Sequence, residues 1–241
     1  MKKVIIVGAT SGLGRGIAET YISRGWQVAI AGRRTALLEE VAGAHPNVVY
    51  DTLDVTDTAL CIKALESLKE RLGGLDLLVL SSGVGRQNAA LDFDLELPTI
   101  ETNVRGWTAI ADWTYKLFAA QGHGHLAAIS SIASVRGLAP APAYSASKAY
   151  QAHYLEALRQ RAMVSGRPIY VSDIRPGFVD TPLLANPKQF FWVLPPEKAV
   201  RAIVRAIDRR RGVATITCRW ALIAPIMRLL PTRLLAHFIA K

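Results

Sequence analysis

The sequence predicts an α/β fold: one doubly wound parallel sheet of about seven strands with helices on both faces and a helical appendage at the C-terminus. Short β-branched runs alternate with longer amphipathic stretches almost from end to end, and the runs are nearly continuously apolar. Strands buried on both faces read this way, and each parallel crossover between them needs a helix. A glycine-rich segment directly after the first run is the third sign. That first run, Val4-Ile5-Ile6-Val7, stops at Gly8, so it reads as a strand and not as a secretory leader. Further strands are predicted at Gln27 to Ala31, Asn47 to Asp51, Asp76 to Leu80, Leu126 to Ser130, Ile169 to Ile174 and Val213 to Thr217. Helices fall between them near 13–24, 35–43, 57–72, 96–120, 143–165 and 196–211. No repeat or linker interrupts the pattern, so residues 1–218 read as one domain and 219–241 as the appendage. Ligands of such sheets bind at the carboxyl ends of the strands, which directs attention to the segments that follow them.

Composition narrows the function classes. Of 241 residues, 51% are apolar and 20% charged, which suits a folded body and excludes a disordered one. Cys61 and Cys218 stand far apart without C-x-x-C spacing, so neither a disulfide scaffold nor a zinc site is indicated, and a reducing cytoplasm fits. His123 and His125 sit in a pre-strand loop with no carboxylate or cysteine beside them, and His153 reads as a packing residue, so no metal is expected. Residues 1–184 carry 18 Lys and Arg against 17 Asp and Glu, whereas residues 185–241 carry 11 against 2. The neutral body argues against nucleic acid as a partner and places a basic feature at the C-terminus.

Gly8-Ala9-Thr10-Ser11-Gly12-Leu13-Gly14 follows strand one and opens a helix. Glycines let the turn close and let backbone N–H groups approach a pyrophosphate, whose charge the helix N-terminus favours. After strand two comes Ala31-Gly32-Arg33-Arg34. An acidic residue there would bond the ribose 2′-OH of NAD, whereas the guanidinium groups of Arg33 and Arg34 suit a 2′-phosphate, so NADP is the expected cofactor and NAD the alternative. Leu53-Asp54-Val55 puts a carboxylate where an adenine amino group would lie; Asp54 could equally cap the next helix, with Thr56 as a competing cap.

Tyr144-Ser145-Ala146-Ser147-Lys148 opens another predicted helix, and a spacing of four puts Tyr144 and Lys148 on one face. A nearby ammonium stabilises phenolate and draws a phenol pKa from about 10 toward working pH, as a general acid/base requires. Ser131 ends the strand thirteen residues before Tyr144, on the edge where ligands bind.

With the glycine segment, Asp54, Asn103 in Asn103-Val104-Arg105-Gly106 and Pro176-Gly177 in the same order and approximate spacing, the chain resembles the short-chain dehydrogenase/reductase family over residues 1 to about 184. The resemblance implies a compact Rossmann-like domain that interconverts a carbonyl and a secondary alcohol. It implies that Tyr144 exchanges a proton with the substrate oxygen while hydride passes to or from nicotinamide. Lys148 would hold the nicotinamide ribose and lower the Tyr144 pKa, Ser131 would hydrogen-bond the substrate oxygen, and Asn103 would anchor a water in a proton relay. Pro176, Gly177, Val179 and Thr181 would contact the carboxamide end of the cofactor.

The chain departs from the family's pattern at Val7, where a Thr is usual, and at Leu80-Ser81-Ser82-Gly83, where Asn-Asn-Ala-Gly is usual. Ser82 and Gly83 would lie beside the adenine ribose. Residues 183–196, with Phe190-Phe191-Trp192, are expected to form an apolar lid over a hydrophobic carbonyl or alcohol substrate. The tail from Trp220 to Lys241 is apolar and basic, but Pro225, Pro231, Arg228 and Arg233 make a spanning helix a poor reading. Its expected place is a subunit contact in a homodimer or homotetramer, a cover over the cleft, or peripheral contact with a membrane. A nucleotide sensor or scaffold without turnover is the rival function, and an epimerase or dehydratase would need more chain after residue 184.

Overall fold

The computed structural model describes residues 1–184 and 186–239. Seven strands form one sheet: β1 (Lys3–Val7), β2 (Gln27–Gly32), β3 (Val48–Thr52), β4 (Leu77–Leu80), β5 (Gly124–Ile129), β6 (Ile169–Pro176) and β7 (Val213–Ile216). Their order is β3-β2-β1-β4-β5-β6-β7 and every pairing is parallel. The chain winds outward from β1 to β3, returns to β4 and winds outward again, so the order reverses between β1 and β4. Crossovers leave that point on opposite faces and open a crevice at the carboxyl ends.

The helices are α1 (Gly12–Ser23), α2 (Thr35–Gly43), α3 (Thr58–Leu72), α4 (Phe93–Ile100), α5 (Trp107–Gln121), α6 (Pro142–Ser165), α7 (Pro196–Asp208), α8 (Cys218–Leu229) and α9 (Thr232–Ile239). Successive strand residues point to opposite faces, so β1 feeds two cores. Ile5 and Val7 join Leu78, Leu80, Trp107, Phe118 and Leu155 on one side. Val4 and Ile6 join Ile17, Tyr21, Ile30, Val79 and Ile203 on the other. The continuous apolar strands are therefore the midplane of a three-layer body.

Two local readings change. The single helix predicted over 96–120 is α4, a π-helical turn over Glu101–Gly106, and α5. Pro98 inside α4 has no N–H to donate, and the wider turn sets Gly106 against the carbonyl of Val55, where a Cβ would lie 2.1 Å from the oxygen. Neither Asp54 nor Thr56 caps α3. Asp57 does, its carboxylate accepting from the Leu60 N–H at 3.1 Å, because Asp54 is turned back to accept from the Thr56 N–H at 2.9 Å and hydroxyl at 2.8 Å.

The basic surplus is not confined to the appendage either. Arg201 and Arg205 lie on α7, and Arg209, Arg210 and Arg211 lie on the exposed turn that follows it, at the opposite end of the sheet from the crevice. Among the described residues no helix is long and apolar enough to cross a membrane. Ala185 of the expected lid, and Ala240 and Lys241 of the tail, lie outside the described residues.

Candidate active site

The segment after β1 builds a cradle that only glycine permits. Gly8 has a φ of 90°, and a Cβ on it would meet the backbone nitrogen of Ser82 at 2.6 Å; one on Gly14 would meet the Gly8 carbonyl oxygen at 2.1 Å. The loop after β1 is thus pressed against the loop after β4, and α1 starts directly over both. Ser11 is the N-cap of α1 but makes no capping bond. Its hydroxyl accepts from Arg34 at 2.6 Å, and Thr10 accepts from the same guanidinium at 2.6 and 3.1 Å. The first N–H groups of α1 are therefore left for an anion. A Cβ on Gly12 would meet the Thr181 methyl at 3.3 Å, which brings the loop after β6 to the mouth of the cradle. The buried Ser82 hydroxyl has no hydrogen-bond partner among the described residues. A glycine cradle, an uncapped helix start and an orphaned hydroxyl fit a dinucleotide pyrophosphate and its adjoining ribose.

Arg33 and Arg34 do different things. Arg34 is tied to Thr10 and Ser11, while Arg33 lies toward Asp54. Burial pushes the Asp54 carboxyl up, but the two bonds from Thr56 and the charge of Arg33 outweigh it and hold it below the usual carboxylate range. Val55 is buried against Gly106, and Leu13 packs into the core beside α1.

The second cluster lies at the carboxyl ends of β4 and β5. Pro142 occupies the first turn of α6, where its missing N–H costs nothing, and α6 then carries Tyr144 and Lys148 one turn apart. Ser131 caps a 3₁₀ turn over Ile132–Ser134 by accepting from the Ala133 N–H at 3.1 Å, and its side chain lies close enough to Tyr144 to act on the phenol. The Tyr144 ring packs against Gly85, where a Cβ would lie 2.3 Å from Cδ2. Lys148 is buried, its Nζ donating to the Ile129 carbonyl at 3.1 Å and to Gln151 Oε1 at 3.0 Å, and lying 5.8 Å from the Tyr144 ring centre.

The electrostatics differ from the sequence expectation. Burial pushes the Tyr144 phenol above its ordinary value, and it is the neighbouring Ser131 hydroxyl that pulls it back part of the way, where Lys148 was expected to do so. The reason is geometric: the ammonium is turned to Ile129 and Gln151. Burial lowers Lys148 itself to about 8, against an upward pull from the buried carboxylate of Asp173.

Asn103 is fully buried in the π-helical turn, and its side chain is spent inside the protein. Oδ1 accepts from the Val84 N–H at 2.9 Å, and Nδ2 donates to the Val84 carbonyl at 2.7 Å and to the Ser147 hydroxyl at 3.0 Å. The group facing Lys148 is the Asn103 carbonyl, reached through Gln151 Nε2 at 2.8 Å. Gly83 completes the packing, its absent Cβ leaving 3.3 Å to Lys148 Nζ. Gln151, Ser147 and Asp173 were not singled out in the sequence; Gln151 was recoverable, since it stands one helical turn beyond Lys148.

Phe178, Phe190, Phe191, Trp192 and Trp220 form one aromatic cluster with ring centres 4.6 to 5.8 Å apart. Trp220 is buried against Gly177, where a Cβ would overlap its indole at 2.0 Å. Gly177 and Phe178 are thus backed by α8. Arg136, which follows the Ser131 turn, donates to the carbonyls of Arg228 at 3.0 Å and Leu230 at 3.1 Å and to the Thr232 hydroxyl at 3.2 Å. The structure puts α8 and α9 beside the crevice, fastened to two of its loops.

This is a doubly wound α/β body with a glycine cradle at its switch point and a Ser-Tyr-Lys cluster on the same edge. A family model described as short chain dehydrogenase matches residues 2–190. The chain belongs to that family and is an oxidoreductase of it. An uncharacterized oxidoreductase of Myxococcus xanthus is 36% identical over 93% of this chain and 90% of the relative, and one of Mycobacterium tuberculosis is 32% identical over 98% and 97%. Among solved structures, 3-ketoacyl-(acyl-carrier-protein) reductase from Brucella melitensis, complexed with NADH, superposes with a TM-score of 0.80 at 25% identity, covering 89% of this chain and 96% of that one. Actinorhodin polyketide ketoreductase with NADPH gives 0.78 at 22% identity over 89% and 95%, a likeness of fold.

Proposed function

We propose that the protein is an NADPH-dependent reductase that interconverts a hydrophobic carbonyl and its secondary alcohol, with Tyr144 as general acid and base. The observation that carries this reading is the buried Lys148 one helical turn beyond Tyr144, with Ser131 beside the phenol, at the strand ends that face the glycine cradle. The solved neighbours bound to NADH and NADPH support a nicotinamide cofactor. The paired Arg33 and Arg34, with no acidic residue between β2 and α2, support a 2′-phosphate.

The cofactor supplies or accepts hydride at the carbonyl carbon. Gly8, Thr10, Ser11, Gly12, Leu13 and Gly14 would hold its pyrophosphate; Asp54, Val55, Ser82 and Gly83 its adenosine side; Pro176, Gly177, Val179 and Thr181 its carboxamide end. Reduction builds negative charge on the substrate oxygen, which a donor already in place must meet. Tyr144 gives the proton, and Ser131, whose hydroxyl oxygen accepts from the Ala133 N–H, orients the substrate oxygen by donating its hydroxyl proton. Lys148, fixed by Ile129 and Gln151, would hold the nicotinamide ribose, and the Ser131 hydroxyl favours the phenolate left behind. Asn103 braces the Val84 loop with its side chain and serves any relay through its carbonyl. The lid aromatics around Trp220 favour an apolar substrate. Family members often form oligomers, and a homodimer or homotetramer is part of this reading.

The test is NADPH oxidation against a panel of apolar ketones, aldehydes and quinones, with NADH and Tyr144→Phe beside it. NADPH-preferring turnover that falls by about 10²- to 10⁴-fold in Tyr144→Phe is expected. NADPH binding without turnover on the whole panel would favour a sensor instead.

A further inference from the structure

We propose that α8 and α9 form a docking surface for an anionic lipid bilayer, set beside the mouth of the active-site crevice. The helix is built for two unlike faces. Trp220 is the anchored position; at about 100° per residue, Leu229, Leu222 and Ile226 stand about 180°, 200° and 240° around the axis from it. The structure leaves these three 84%, 71% and 57% exposed, while Trp220 is 4% exposed. One face of α8 is fastened to Gly177 and the aromatic cluster, and the opposite face is a bare aliphatic stripe. Leu234 on α9 is likewise left 52% exposed.

A stripe of this kind needs a cover, and charge selects the cover. Residues 218–239 contain Arg219, Arg228 and Arg233 and no Asp or Glu, and all three arginines are exposed. Aliphatic side chains flanked by guanidinium groups suit the acyl and headgroup levels of an anionic membrane, into which long basic side chains extend while their stems stay apolar. Two short helices joined at Pro231 can lie flat on such a surface but not cross it. A second copy meeting the same face about a two-fold axis would set these arginines against their own counterparts, with no acidic residue on either side to offset them.

The surface is rigidly tied to the site. Arg136 holds the α8–α9 junction to the Ser131 turn, and Trp220 holds α8 to the loop after β6. A docked enzyme would therefore present its crevice toward the bilayer, where amphiphilic carbonyl substrates are concentrated. The docking inference stands apart from the choice of substrate, so its test uses vesicles alone.

The full chain is floated with phosphatidylcholine vesicles and with vesicles carrying about 30% phosphatidylglycerol. Binding to the anionic vesicles, at least about tenfold weaker on neutral ones, is expected. Leu222→Ser/Ile226→Ser/Leu229→Ser should lose at least about tenfold of the binding, and Arg228→Gln/Arg233→Gln should lose the preference for anionic lipid. Thermal unfolding of both variants at the wild-type midpoint confirms that the fold is intact. The proposal is overturned if the wild type does not float, if both variants float as it does, or if light scattering without vesicles shows the triple variant to be a smaller oligomer than the wild type. That last outcome would assign the stripe to a second copy.

Discussion

Gln151 joins Lys148 to Asn103: its Oε1 accepts from Lys148 Nζ at 3.0 Å while its Nε2 donates to the Asn103 carbonyl at 2.8 Å. Both Gln151 and Asn103 are fully buried. The ammonium of α6 is thereby aimed by a side chain one turn further along the same helix, braced on the π-helical turn.

Gln151→Leu removes an acceptor that favours charged Lys148, so the Lys148 pKa should fall further below about 8. The alkaline limb of the pH–rate profile is expected to move toward acid, with kcat down by about 10- to 100-fold. Gln151→Glu should move that limb the other way. A pH–rate series on the three proteins checks the order; an unmoved limb would show that Gln151 only fills space.

Gly85→Ala should behave as an active-site mutation although it removes no functional group. The new Cβ would lie 2.3 Å from Tyr144 Cδ2, and the ring must shift to admit it. A fall of about 10²-fold in kcat/KM with an almost unchanged Tm is expected, since a displacement of about 1 Å is enough. Gly137→Ala, where nothing lies within 4 Å of the added carbon, is the control.

Stability should depend on pH through His125. Burial, with the charge of Arg210 assisting, lowers this imidazole to about 4, and its Nε2 bonds the Ser172 hydroxyl at 2.8 Å. Between about 4 and the ordinary value near 6.5 the unfolded chain binds the extra proton and the folded chain does not. Stability therefore falls as pH drops through that window, by about 3 kcal/mol at its lower end. Urea titrations at pH 7 and pH 4.5 should show His125→Gln losing less stability between the two than the wild type.

Trp220→Ala should release the appendage before the sheet. It empties a buried site between Gly177, Phe178, Phe191 and Trp192, at a cost of about 3 kcal/mol or more. Trypsin is expected to cut at Arg219 and Arg228 in the variant under conditions that leave the wild type whole; equal resistance would mean that Arg136 alone secures α8.

The alternation of apolar runs with helices determined the layers, and the glycines after Val7 and the Tyr144-to-Lys148 spacing determined where chemistry would gather. Those are local signals: a strand buried on both faces has no room for polar residues, and a helix repeats every 3.6 positions wherever it packs. The directions of the functional groups were decided by tertiary contacts. Lys148 turns toward Gln151 because Ile129 and Asn103 approach it from β5 and the π-helical turn. Asn103 spends its amide on Val84, nineteen residues away, and Asp57, directly before Thr58, caps α3 while Asp54 is spent on Thr56. The tail's apolar and basic character was plain in its residues. That Trp220 seats it on Gly177, and Arg136 on the Ser131 turn, depended on side chains that meet only when β6 and the α8–α9 junction are brought together, and no local pattern of residues encodes that meeting.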